Sequence, residues 1–212
     1  MPELLEEFLP RLPELQMTQN RLQRLVKTAC KRQRGLMLLM EDVHNEHNLA
    51  AISRSCDAFG VQQVAFTLEN PDHFNPSRIP QVTARGAAKW LDYRIFTDGT
   101  TNALQTLHSE GWHLLATSLH PGARPLHTVD FTQYEKLVLM VGNEHAGLSP
   151  AALEHADQSI YIPMQGFTQS FNVSVAAALC LYEITRQRNA SPVDFRISLE
   201  DARSLVEDFL QR

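Results

Sequence analysis

LMLLMEDVHNEHNLAAISRSCDAFG, residues 36–60, carries the pattern that decides the fold. Leu36 to Met40 are apolar without alternation, which is how a strand buried on both faces reads. A polar stretch follows, and small and apolar residues then recur at helical spacing over 47–59. A strand, a polar loop and a helix in that order make one β–α unit.

The same grammar repeats outward from this unit. Strand 62–67 (QQVAFT) precedes a polar loop through Pro71, Pro76 and Pro80. Strand 91–96 (LDYRIF) precedes a helix near 100–110, and strand 112–117 (WHLLAT) precedes a loop with Pro121, Gly122 and Pro125. Strand 136–142 (KLVLMVG) leads to a helix opening at Ser149-Pro150, a good cap followed by a residue suited to a first turn. Strand 159–162 leads to a long helix from Asn172 to Gln187, and an amphipathic helix spans 198–211. Six apolar strands alternating with helices predict an α/β protein: a mostly parallel six-stranded sheet with helices on both faces. In such sheets ligands bind beyond the carboxyl ends of the strands. That rule selects the loops after Met40, Thr117, Gly142 and Ile162.

Upstream of the core, residues 3–15 are short apolar and acidic pieces cut by Pro10 and Pro13, which read as a loose arm. From Thr18 a helix is predicted, with Leu22, Leu25, Val26 and Ala29 on one face. The net charge is −5, which taken alone argues against a nucleic-acid partner. Its distribution weakens that argument. Between Leu15 and Met40 there is no Asp or Glu, while Arg21, Arg24, Lys27, Lys31, Arg32 and Arg34 fall there as a basic stripe suited to an RNA backbone. His47 is a further candidate phosphate contact. The expected organisation is an N-terminal arm and basic helix over 1–35, a core domain over 36–190 and a helical extension over 191–212.

Other classes lose their usual signals. No apolar run approaches the ~20 residues of a membrane span, and the acidic, proline-punctuated N-terminus is unlike a signal peptide. Cys30, Cys56 and Cys180 are odd in number and without CxxC spacing, which predicts a reducing, cytoplasmic setting. There is no GxxxxGK[ST], GxGxxG or GxSxG. His44 and His47 bracket Glu46 without HExxH spacing, so no metal is expected.

Three segments lie where a site is expected. HNLAAISRSCDAFG carries Asn48 and Arg54 on one predicted helix that opens near Asn48. VGNEHAGLS ends a buried strand in a glycine-bearing turn with Gly142 and Glu144. IPMQGFTQSFNVSVAAALCLYE brings Ser170 and Asn172 to the start of a helix of small residues. In this order and spacing the three resemble the sequence motifs of the SpoU/TrmH family of SPOUT RNA methyltransferases, over about residues 36–190. The flanking helices further look like those of its tRNA guanosine-2′-O-methyltransferase branch.

The resemblance implies a C-terminal trefoil knot that breaks the usual no-knot rule, a homodimer, and S-adenosylmethionine as cofactor. Thr117, Gly142, Glu144, Ile162, Met164, Ser170 and Phe171 would then hold the cofactor, and Phe171 stands where the family commonly has Leu. Arg54, Asn48, Glu144, Ser170 and Asn172 would serve catalysis. The implied reaction is methylation of a ribose 2′-hydroxyl in tRNA, at guanosine 18 of the D-loop. A 23S rRNA substrate and a non-catalytic RNA-binding dimer are the alternatives.

Overall fold

The computed structural model describes residues 2–68 and 86–212; the loop with Pro71, Pro76 and Pro80 lies outside them. The chain divides into two compact units, Gly35–Asp194 and Met1–Arg34 with Phe195–Arg212.

In the larger unit β1 (Leu36–Glu41), β2 (Gln63–Thr67), β3 (Asp92–Phe96), β4 (His113–Thr117), β5 (Arg124–Pro125), β6 (Leu137–Val141) and β7 (Gln158–Tyr161) form one sheet in the order β3-β2-β1-β6-β4-β7-β5. Every pairing is parallel. The sheet has seven strands where six were expected. The additional one, β5, is two residues long and contains a proline, so no apolar run announces it. It is a strand because Arg124 and Pro125 lie in register with Ile160 and Tyr161 of β7.

β1 shows why its sequence does not alternate. Leu36, Leu38 and Met40 enter one apolar cluster, together with residues of α4 (Glu46–Ala58) and α7 (Val173–Ala190). Met37 and Leu39 enter the opposite cluster with residues of α5 (Thr100–Ser109) and α6 (Pro150–His155). Both faces are covered, so every position of the strand is apolar except its last, Glu41, and all six are buried. Caps set the helix starts: Ser149 accepts from Ala152 N, and Asn172 from Ser174 N. Helix α4 opens earlier than Asn48. Asn45 is its cap and accepts from the backbone of His47 and Asn48, which places Asn48 in the first turn.

The smaller unit pairs α3 (Gln19–Ala29) with α8 (Leu199–Gln211), which bury Leu22, Leu25, Val26 and Ala29, and Ala202, Leu205, Val206 and Phe209 respectively. The stretch read as a loose arm is helical: α1 (Pro2–Phe8), a 3-10 turn (Leu9–Arg11) and α2 (Leu12–Leu15). Pro10 and Pro13 stand in the first turns of their elements, where a missing N–H leaves no bond unmade. Leu4 and Phe8 are buried, and Arg11 pairs with Glu207. Among the described residues no helix is long and apolar enough to cross a membrane.

Candidate functional site

At the carboxyl ends of β4, β6 and β7 the larger unit opens into a cleft of about 360 Å³, within the size of small-molecule sites. Thr117 and Ser118 stand at the end of one strand, Gly142 to Leu148 follow the second, and Tyr161, Ile162 and Met164 stand at the end of the third; Ser170, Phe171 and Val173 close it at the start of α7. All seven residues expected to hold a cofactor line it: Thr117, Gly142, Glu144, Ile162, Met164, Ser170 and Phe171.

Each wall has a local cause. Thr117 donates its hydroxyl to the carbonyl of Met140 at 2.9 Å, joining the ends of β4 and β6. At Gly142 a Cβ would stand 2.2–2.3 Å from the backbone of Gly147 and Leu148, so no side chain fits. The loop doubles back there, with Asn143 N to Gly147 O at 2.9 Å and Gly147 N to Asn143 O at 3.0 Å. Gly142 is therefore required by loop closure before any ligand is considered.

Glu144 on that loop joins the three segments. Its Oε1 accepts from Asn48 Nδ2 at 2.9 Å and from Asn45 N at 3.2 Å. Asn48 Oδ1 in turn accepts from Asn172 Nδ2 at 3.1 Å, and Asn172 Oδ1 accepts from Ser174 N at 2.9 Å. Burial raises the Glu144 carboxyl, but hydrogen bonds from the Asn48 side chain and from the backbone of Glu144, Asn45 and His44 outweigh it and hold the group below its ordinary value. The cleft therefore carries a carboxylate at neutral pH. Cys180 also lines it, and burial pushes that thiol up to about 12, which keeps it protonated and unreactive. Among the described residues no three His, Cys, Asp or Glu side chains are placed to hold a metal.

Comparison with known proteins then decides the kinship of this cleft. The model of the SpoU rRNA Methylase family matches residues 35–182. The chain belongs to the SpoU methylase family. It is 40% identical over 171 residues to a tRNA (guanosine(18)-2′-O)-methyltransferase of Thermus thermophilus, covering 81% of this chain and 84% of that relative. Among solved structures, the TrmH/SpoU tRNA-modifying enzyme of Aquifex aeolicus superposes with a TM-score of 0.76 at 34% identity, over 91% of this chain and 95% of that one. The SpoU methyltransferase AviRb of Streptomyces viridochromogenes, solved in complex with AdoMet, superposes with a TM-score of 0.60 at 29% identity, over 76% of this chain and 63% of that one.

For this SpoU member, several residues expected at the site stand elsewhere. Asn48 and Asn172 do not line the cleft and reach it only through Glu144. Arg54 is exposed on α4, six residues beyond Asn48, and does not line its own chain's cleft. Among the basic residues, Arg21, Arg24 and Lys27 are exposed on α3, while Lys31 and Arg34 are exposed beyond its last residue, Ala29. Arg32 leaves the stripe. It is fully buried, its guanidinium 5.8 Å from the Phe209 ring centroid, because the chain turns inward after α3 to bridge Gln33 with Arg196. His47 is exposed in the first turn of α4. Cleft residues that sequence reasoning missed include Ser118, Leu119, Tyr161, Val173 and Ala176. The first three directly follow or end strands already singled out by their carboxyl ends, and that signal was available.

Proposed function

We propose that this SpoU-family chain is an S-adenosylmethionine-dependent enzyme that methylates the ribose 2′-hydroxyl of guanosine 18 in tRNA. One observation carries the reading: the loops after β4, β6 and β7 converge on one cleft, and a hydrogen-bond chain through Glu144, Asn48 and Asn172 ties all three family motifs to it. The tRNA-methylating names of its relatives support the substrate.

The cleft suits the cofactor. Ile160, Ile162, Met164, Phe171 and Val173 offer apolar surface for an adenosine, and the Glu144 carboxylate offers a charge opposite to a sulfonium. Bound there, S-adenosylmethionine supplies an electrophilic methyl group. The residues do the rest by position. Apolar walls exclude water that would compete for the methyl, and a ribose oxygen held in line with it gains several kcal/mol of barrier reduction from orientation. The 2′-hydroxyl proton passes to a phosphate oxygen or a water, because an arginine stays protonated and cannot accept it. Arg54 grips an RNA phosphate and stabilises the forming alkoxide.

This reading includes a trefoil knot in the C-terminal part of the larger unit, supported by the family and by the return of β6 between β1 and β4. It also includes a cytoplasmic homodimer in which α7 packs on its copy, and a flanking unit that contacts tRNA. With methyl-labelled S-adenosylmethionine and total cellular RNA, the label is expected in tRNA at guanosine 18. Label in 23S rRNA would move the substrate. No label, from a chain that also shows no calorimetric heat with S-adenosylmethionine, would leave a non-catalytic RNA-binding dimer.

The flanking unit makes a separate expected result. Replacing Arg21, Arg24 and Lys27 together by alanine should weaken tRNA binding and lower the slope of log K against log salt by about 2 to 3, since each lost phosphate contact removes nearly one released counterion. Filter binding between low and moderate salt measures this. An unchanged slope would take α3 out of the RNA contact.

A further inference from the structure

We propose that Glu41 is a positioning residue for the cofactor: it clamps the end of the loop that forms the Gly142–Leu148 wall of the cleft. The inference rests on the cofactor reading above.

Glu41 is the last residue of β1 and is 1% exposed. No apolar side chain stands there, although the five residues before it are all apolar. Its carboxylate accepts three hydrogen bonds: Oε2 from Ser149 N at 2.7 Å, and Oε1 from Ser149 Oγ at 2.7 Å and Thr100 Oγ1 at 2.8 Å. The direction of each is set. Ser149 Oγ accepts from Ala152 N at 3.0 Å as the cap of α6, so its own hydrogen points to Glu41. Thr100 Oγ1 donates because a carboxylate only accepts, and it also lies 3.3 Å from Thr67 Oγ1. All partners donate, and an amide in place of the carboxylate would aim its NH2 at a donor.

These bonds matter because of where Ser149 lies. The loop that begins at Gly142 and lines the cleft through Leu148 ends at that residue. The next residue of β1's run, Asp42, holds the loop's other end: its carbonyl accepts from Asn143 Nδ2 at 2.9 Å, with the Asp42 backbone turned into the left-handed region at φ 49°. Between these two anchors the loop is stiffened internally, Asn143 Oδ1 accepting from His145 N at 2.9 Å and Ala146 N at 3.0 Å. Two consecutive residues at the end of the central strand thus grip the loop at both ends. Glu41 does so with its side chain, which a substitution can test directly. It touches no part of the cleft itself; it acts through Ser149.

The test is S-adenosylhomocysteine binding by calorimetry on the full chain, with steady-state methyl transfer beside it. For Glu41→Gln the Kd is expected to rise roughly tenfold or more, the scale of losing charge-assisted hydrogen bonds. Amide exchange over residues 143–149 should accelerate, and the KM for S-adenosylmethionine should rise more than kcat falls. Glu41→Asp, which keeps the carboxylate, should recover part of the affinity. Wild-type affinity and exchange in a folded Glu41→Gln would overturn the proposal, as would a loss confined to kcat. If Glu41→Gln fails to fold, Ser149→Ala removes one of the three bonds and carries the same test, with wild-type affinity again overturning it. Failure of the unmutated chain to bind S-adenosylhomocysteine would instead sink the cofactor reading.

Discussion

Replacing Arg54 by alanine is expected to lower methyl transfer by about 10²- to 10³-fold, the usual cost of removing one preorganised donor to a developing oxyanion, while S-adenosylhomocysteine binds as before. The two halves of that expectation have different sources. Cofactor affinity should survive because Arg54 does not line the cleft and is exposed on α4. Turnover should fail because the reaction builds negative charge on a ribose oxygen beside an RNA phosphate, and a guanidinium meets both with a rigid fork of donors. Arg54→Lys separates charge from geometry. It keeps the cation and loses the fork, so near-normal turnover with an unchanged pH profile would show that bidentate phosphate binding is not the role of this residue. Single-turnover rates with saturating tRNA are the measurement.

Introducing a charge at Leu179 should have an effect of similar size on assembly. Helix α7 buries Ala177, Cys180, Leu181 and Ile184 in the core of its own unit. Phe171 just before it, with Val175, Leu179 and Tyr182 on it, are exposed at 41%, 45%, 38% and 54%. The spacings of four and three residues from Val175 through Leu179 to Tyr182 put these three on one face, so α7 is apolar on two sides, as a helix sandwiched within an assembly is. A second copy of the chain is the occupant we assign. Leu179→Asp would bury a carboxylate without a partner at that interface, weakening the dimer by about 3 kcal/mol or more, or roughly two orders of magnitude in Kd. Light scattering at micromolar concentration should show dimer for the unmutated chain and monomer for the variant. Methyl transfer should fall with it if, as the proposed dimer implies, Arg54, which stands outside the cleft of its own chain, serves the partner's cleft. Mixing Arg54→Ala with a cleft-defective Gly142→Val chain should then restore part of the activity. A monomeric unmutated chain, or a dimeric Leu179→Asp, would remove this interface.

Much of this protein is legible in its sequence. The run Leu36 to Met40 specified a strand covered on both sides, since an alternating strand would have left polar residues on one face. Ser149 and Asn172 named their helix starts because a side-chain oxygen serves a cap better than any interior position. The seven cofactor-site residues came from motif resemblance and strand ends, and one cleft collects them all. What escaped depended on partners distant in the chain. Nothing in Arg124-Pro125 says strand until β7 lies beside it. Arg32 counts as a basic residue in any composition, and only the packing of Phe209 and the bridge from Gln33 to Arg196 show it buried. Pro10 and Pro13 read as breaks and proved to be helix starts, because burial of Leu4 and Phe8 accompanies the turns that the prolines permit. Residue order thus determined the six apolar strands, the caps at Ser149 and Asn172 and the ends at which a ligand binds, since periodicity and capping are local properties of the chain. Tertiary structure decided the strand order, the burial of Arg32, the Asn172–Asn48–Glu144 chain and the grip of Glu41 on Ser149. The hydrogen-bonded partners among these stand about a hundred residues apart, and such a bond leaves no periodic trace in either segment.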